Sequence, residues 1–135
     1  MNKFIFFIVV WLPTFIWMGL IYYLSSFHNL TASPVGWQDL VIRKTAHFLE
    51  YTALVILFYR SFRLNTKMGI KEVVILSILL TILYAASDEL HQTFVTGRSG
   101  KIIDILIDSS GAIIGFAVFW RLKKYLPKFL NKIIN

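Results

Sequence analysis

The stretch YAASDELHQTFVTGRSGKIIDILIDSSGAIIGF, Tyr84 to Phe116, decides how this chain folds. It carries Asp88, Glu89, His91, Arg98, Lys101, Asp104 and Asp108 between long apolar runs. As the end of one membrane helix, a turn and the start of the next, it gathers most of the acidic residues at one end of a bundle. Composition favours that reading. The chain is 57% hydrophobic and 16% charged, whereas a soluble domain is roughly 45–50% apolar and about 25% charged. Its 135 residues suit a single domain, 1–135. There is no cysteine, which excludes a disulfide framework and thiolate chemistry. The net charge of +7 would suggest nucleic acid in a soluble protein. Here the basic residues flank apolar runs, a pattern of orientation in a bilayer, so no nucleic-acid partner is expected.

A spanning helix needs about 20 apolar residues, because ~30 Å of hydrocarbon is crossed at ~1.5 Å per residue. Four segments meet this: 4–24, 40–62, 70–91 and 102–124. The expected fold is all-α, a polytopic membrane protein with four transmembrane helices in a compact bundle. The first run is longer than the ~7–15-residue core of a signal peptide, and SSFHNLTA after it offers no small-x-small cleavage site, so it is read as retained. No period-2 alternation suggests a barrel. The loop Ser25 to Asp39 holds Pro34 and Gly36 and shows no helical pattern. The tail KKYLPKFLNKII is basic and amphipathic and suits a headgroup anchor.

Lys and Arg set the orientation. Lys3, Arg60, Arg63, Lys67, Lys71, Arg121, Lys123, Lys124, Lys128 and Lys132 share one side; Arg43, Lys44, Arg98 and Lys101 share the other. The richer side is cytoplasmic, so both termini are expected inside a multi-pass cell-membrane protein. Of the acidic residues only Glu72 falls on that side. Trp37, Tyr59 and Trp120 read as interfacial belt residues.

At about 100° per residue, Lys44, His47 and Tyr51 form one stripe on the second helix, with Glu50 beside it. Asp88, His91 and Gln92 share a face at the end of the third. Asp104, Asp108, Gly111 and Gly115 form a stripe on the fourth. All three stripes lie at the outer end. A carboxylate facing hydrocarbon costs about 2.5–3.5 kcal/mol, so Asp108 is expected to face the bundle. There it can meet Lys44, Arg98 or a histidine. GAIIG reads as close helix packing, and Tyr51 as a core or interfacial aromatic with a satisfied hydroxyl.

Three kinds of chemistry fit this set. His47 or His91 can serve as acid or base beside a carboxylate, with Lys44 and Arg98 stabilising an anionic group such as a lipid phosphate. Histidine and carboxylates can bind a divalent metal, but no HExxH-type motif is present and no metal is assigned. Alternatively, the pocket binds a headgroup without reacting. A transporter component is a further alternative, although no inverted repeat is visible. No cofactor is identifiable. The catalytic candidates are Lys44, His47, Glu50, Asp88, His91, Arg98 and Asp104; the candidates for lipid or substrate binding are Tyr51, Glu89, Gln92, Gly97 and Asp108.

KTAHFLEY (Lys44 to Tyr51) and SDELHQTFVTGRSGKIIDILIDSSGAIIG (Ser87 to Gly115) resemble the two motifs of the VanZ-like family. Lys44, His47, Glu50, Tyr51, Asp88, Glu89, His91, Gln92, Gly97, Arg98 and Asp104 fit the pattern. Thr96 stands where proline often precedes the Gly-Arg pair, and Asp108 stands where asparagine is common. The resemblance implies a single small membrane domain, mostly bacterial in occurrence. It also implies a partner among membrane lipids, lipid-linked envelope molecules or a glycopeptide. The member that names the family is associated with reduced teicoplanin susceptibility.

Overall fold

The computed structural model describes residues 2–27, 34–96 and 100–127. Three long helices come first: α1 (Lys3–Ser25), α2 (Gly36–Asn65) and α3 (Ile70–Gln92). A fourth segment is built from α4 (Ile102–Ser110), a π-turn (Gly111–Gly115), α5 (Phe116–Leu122) and a 3-10 turn (Lys123–Tyr125). There is no strand among the described residues. Among the described residues three stretches are long and apolar enough to cross a membrane: Lys3–Ser25, Ile70–Gln92 and Ile102–Tyr125, with mean hydropathies of 2.4, 1.9 and 1.9. α2 is longer, at 30 residues, but less apolar, and its six charged side chains are Asp39, Arg43, Lys44, Glu50, Arg60 and Arg63.

The outside of the bundle is apolar. On α3, Ile75, Leu79, Leu83 and Leu90 are half or more exposed along one side, and on α1 so are Phe4, Val9, Phe15 and Ile16. Inside, polar side chains such as Thr14, Ser61, Ser77, Thr81, Asp88 and Asp108 are buried. Water would penalise this arrangement, because large exposed apolar patches do not persist on soluble monomers. Hydrocarbon favours it.

α2 stands at the centre, packed against α1, α3 and the fourth segment. Two close approaches hold it there. Pro13 lacks an N–H, so the Val9 carbonyl loses its helical donor, and the ring crowds the turn that carries Val10. Arg60 Nη1 and Ser61 Oγ of α2 donate to the Val10 carbonyl at 3.0 and 3.1 Å. Thr14 Oγ1 lies 2.9 Å from Ser61 Oγ. Each such bond contributes about 0.5–1.5 kcal/mol, and neighbouring helices commonly rescue a proline in this way. On the other side, a β-carbon on Gly111 would collide with the Phe48 carbonyl, and one on Gly115 with the Thr52 side chain. The Thr52 hydroxyl lies 2.8 Å from the Phe48 carbonyl oxygen and 2.9 Å from that of Gly111, sharing its proton between them. The glycines therefore serve close packing, as GAIIG suggests.

Several expectations need correction. α2 begins at Gly36, inside the expected loop, and runs through Arg60 and Arg63 to Asn65. Asp39 sits in its first turn, where a negative charge suits the helix dipole, and pairs with Arg43 at 2.8 Å. The fourth helix is not one regular rod, because the two glycines admit a π-turn at the contact with α2. Tyr59 is not a belt residue. It is fully buried, with its ring 5.3 Å from Phe116 and 5.7 Å from Trp120. Trp37, in the first turn of α2, is 67% exposed.

Candidate functional site

The start of α2, the end of α3 and the start of α4 share one end of the bundle, and the end of α1 joins them. Lys44 of α2 and Asp104 of α4 form an ion pair. One turn deeper, His47 Nδ1 lies 3.4 Å from Asp108 Oδ1. That distance is within ion-pair range but longer than a good hydrogen bond. Asp108 is 1% exposed, and neither of its oxygens accepts a hydrogen bond among the described residues. The Tyr51 hydroxyl, one turn below His47, is also buried, and the hydrogen bond expected to satisfy it is not found among the described residues. Asp108, Glu50 and Asp88 all lie within electrostatic range of His47.

Asp88 is held from two sides. Ser25 Oγ donates to its Oδ1 at 2.6 Å, and Gln92 Nε2 to its Oδ2 at 3.0 Å. Asp88 and Gln92 are four residues apart on one face of α3. His91 turns instead toward α1. Its Nε2 is 3.1 Å from Ser26 Oγ, and its ring lies 4.2 Å from that of Tyr22. The two histidines thus occupy different surroundings, and only His47 faces the buried aspartate. Glu89 has a structural partner. Its Oε2 accepts from the Lys101 N–H at 2.9 Å, at the entrance to α4, where a carboxylate suits the helix dipole. Gly97 and Arg98 lie outside the described residues.

A cavity of ≈ 200 Å³ opens between α1 and α2, lined by Ile21, Leu24, Ser25, Arg43, Ala46, His47 and Glu50. Pockets for whole drug-sized ligands run to about 300–1,000 Å³, so this one suits a headgroup or a short piece of chain. It combines an apolar wall from α1 with a polar rim from α2. Trp17 Nε1 donates to the Glu50 carbonyl at 2.9 Å and fixes α1 beside it. No three His, Asp or Glu side chains converge as a metal-ligand group among the described residues.

Sequence reasoning missed the contribution of α1. Without charge, that helix reads only as a span, yet Ser25, Ser26, Tyr22 and Trp17 all reach the site. The signal was the Ser25-Ser26 pair, since the orientation count already puts that end of α1 beside the acidic stripes. Arg43 was also missed, being counted only as a topology charge.

No curated protein and no solved structure matches the chain. The family model described as VanZ/LLP1 matches residues 4–124, a range that takes in every residue of this site, and the chain belongs to that family.

Proposed function

We propose that the chain is a four-span integral protein of the cell membrane whose outward-facing pocket takes the anionic headgroup of an envelope lipid, on which His47 acts as acid and base. One observation carries this reading. His47 stands between a cavity and a fully buried aspartate that has no other close partner among the described residues. A buried carboxylate without hydrogen bonds costs several kcal/mol and contributes nothing to packing. Such groups inside a membrane bundle are functional candidates by default.

The chemistry follows from the geometry. With Nδ1 directed at Asp108, His47 has Nε2 left to exchange a proton with a ligand in the cavity. Asp108 orients the ring and balances the imidazolium. Arg43, held by Asp39, and Lys44, held by Asp104, supply positive charge for an anionic group. Apolar Ile21 and Leu24 suit the first methylenes behind that headgroup.

Membrane crossing by α2 belongs to the same proposal. Its 30 residues extend about 45 Å at ~1.5 Å per residue, enough to cross. Lys44 and His47 turn toward α4 instead of lipid. The charge count further supports cytoplasmic termini. A fluorescent reporter fused after Asn135 is therefore expected to glow in the cytoplasm, and a phosphatase fused there to stay inactive. The reverse pattern would place the pocket on the cytoplasmic side.

The functional test compares envelope lipids by mass spectrometry in a deletion strain and in the same strain carrying the intact gene. The expected result is a lipid species that accumulates on deletion and returns to normal on complementation. Identical lipid profiles would overturn the catalytic reading and leave a binding role. A part in glycopeptide protection, which the family resemblance raises, is tested in the same strains as teicoplanin susceptibility.

A further inference from the structure

The opposite end of the bundle holds a second cluster that the pocket does not use. Lys123, in the 3-10 turn after α5, places its ammonium 3.5 Å from the ring centre of Trp120 and 5.9 Å from that of Tyr59. Trp120 meets Tyr59 edge-on at 5.7 Å, so the two rings form a corner with the ammonium in it. Arg63, at the end of α2, is close enough for its charge to act on both Lys123 and the Tyr59 hydroxyl. Two cations thus approach each other on two different helices.

No carboxylate side chain answers them among the described residues. All seven carboxylate side chains of the sequence are among the described residues. Six stand near the site already described or at the start of α2. The seventh, Glu72, accepts from the Gly69 N–H at 2.9 Å. Among the described residues neither Arg63 nor Lys123 forms an ion pair. The cluster also contains unused donors. Arg63 Nε and the Tyr59 hydroxyl are both buried without a well-formed hydrogen bond among the described residues, and the Arg63 guanidinium lies within reach of the hydroxyl oxygen, which leaves the hydroxyl proton free to be donated. Like charges held together next to orphaned donors destabilise a fold unless something anionic joins them.

We propose that this corner is an anion site for a phosphate group, with Arg63 and Lys123 supplying charge and the Tyr59 hydroxyl a hydrogen bond. A phosphate offers several acceptor oxygens, which matches a guanidinium, an ammonium and a hydroxyl arriving from different directions. The site lies at the end of a membrane-crossing segment, at headgroup depth, so the diester of an anionic glycerophospholipid is one source. Free phosphate is the other. Trp120 supplies the apolar face beside such a headgroup. This site is separate from the His47 cavity and does not depend on the function proposed for it.

The test is native mass spectrometry of the full chain in mild detergent, titrated with phosphatidylglycerol or with phosphatidylcholine. The site predicts a phosphatidylglycerol adduct that forms about tenfold more readily than the phosphatidylcholine one. The double variant Arg63→Gln, Lys123→Gln should carry one phosphatidylglycerol fewer than the intact chain, while the His47 cavity keeps its own. Tyr59→Phe keeps the packing and removes only the hydroxyl, and should weaken the adduct by about threefold. It serves as the variant of record if the double variant does not fold. Inorganic phosphate is the other arm. Displacement of the lipid adduct by millimolar phosphate supports the site and names the free anion as its ligand; retention of the adduct names the lipid. Equal binding of the two lipids by the intact chain would overturn the proposal. So would an undiminished phosphatidylglycerol adduct in a folded Arg63→Gln, Lys123→Gln or Tyr59→Phe protein.

Discussion

Gly111→Ala is expected to cost the fold about 3 kcal/mol, the upper part of the ~1–3 kcal/mol range for overpacking, and to leave little folded protein in the membrane. The added methyl would collide with the Phe48 carbonyl oxygen, which is backbone. No side-chain rotation relieves that contact. α2 and the fourth segment must separate, which also pulls the Gly111 carbonyl from the Thr52 hydroxyl. Gly19→Ala is the matched control, because a β-carbon there meets nothing within 4 Å. It should be neutral or stabilise by up to about 1 kcal/mol through helix propensity. Thermal unfolding in detergent reads both. Equal stabilities for the two variants would contradict a close contact at Gly111. The consequence extends to the site, since Asp108 lies one turn before Gly111 and is positioned by the same contact.

His47→Ala is expected to lose about 10²–10⁴-fold in turnover of the lipid that the deletion strain accumulates, the usual contribution of a positioned acid or base. Asp108→Asn separates function from structure. The amide keeps the shape of the side chain but cannot balance an imidazolium, so turnover should fall and its pH profile should shift. Stability should hold or rise, because Asp108 accepts no hydrogen bond among the described residues and a buried charge is removed. A purely structural pair predicts the opposite. Breaking a buried ion pair destabilises by about 3–5 kcal/mol. Unfolding temperature and lipid turnover measured on the same variant therefore decide between the two roles. His91→Ala should have a much smaller effect on turnover, since His91 faces Ser26 and Tyr22 instead of the buried aspartate.

The fold was legible where the physics is local. Length and apolarity locate α1, α3 and the fourth segment, and the 100° rotation per residue places Asp104 and Asp108 on one side of α4. The convergence of polar stripes follows from topology alone. What escaped the sequence depends on contacts between helices. The π-turn arises where two glycines meet the backbone of α2, and no periodicity within α4 announces it. Tyr59 looks interfacial by composition, yet the corner formed by Phe116 and Trp120 buries it. Asp88 reads as one more acid of a cluster. Its partner is Ser25, far away in sequence on a helix whose one charge, Lys3, sits at the other end. The early start of α2 was partly readable, since Asp39 and Arg43 stand at the spacing of a helical ion pair.

The cavity beside His47 is expected to hold an anionic lipid headgroup. The most direct test is native mass spectrometry of the purified chain with the lipids it carries from the membrane. Counted in the Arg63→Gln, Lys123→Gln protein, which lacks the second anion site, one anionic lipid adduct is expected, and it disappears when Ala46→Leu fills the cavity or Arg43→Gln removes charge from its rim. No anionic adduct on that folded protein, or one that Ala46→Leu and Arg43→Gln both retain in full, would contradict this occupancy.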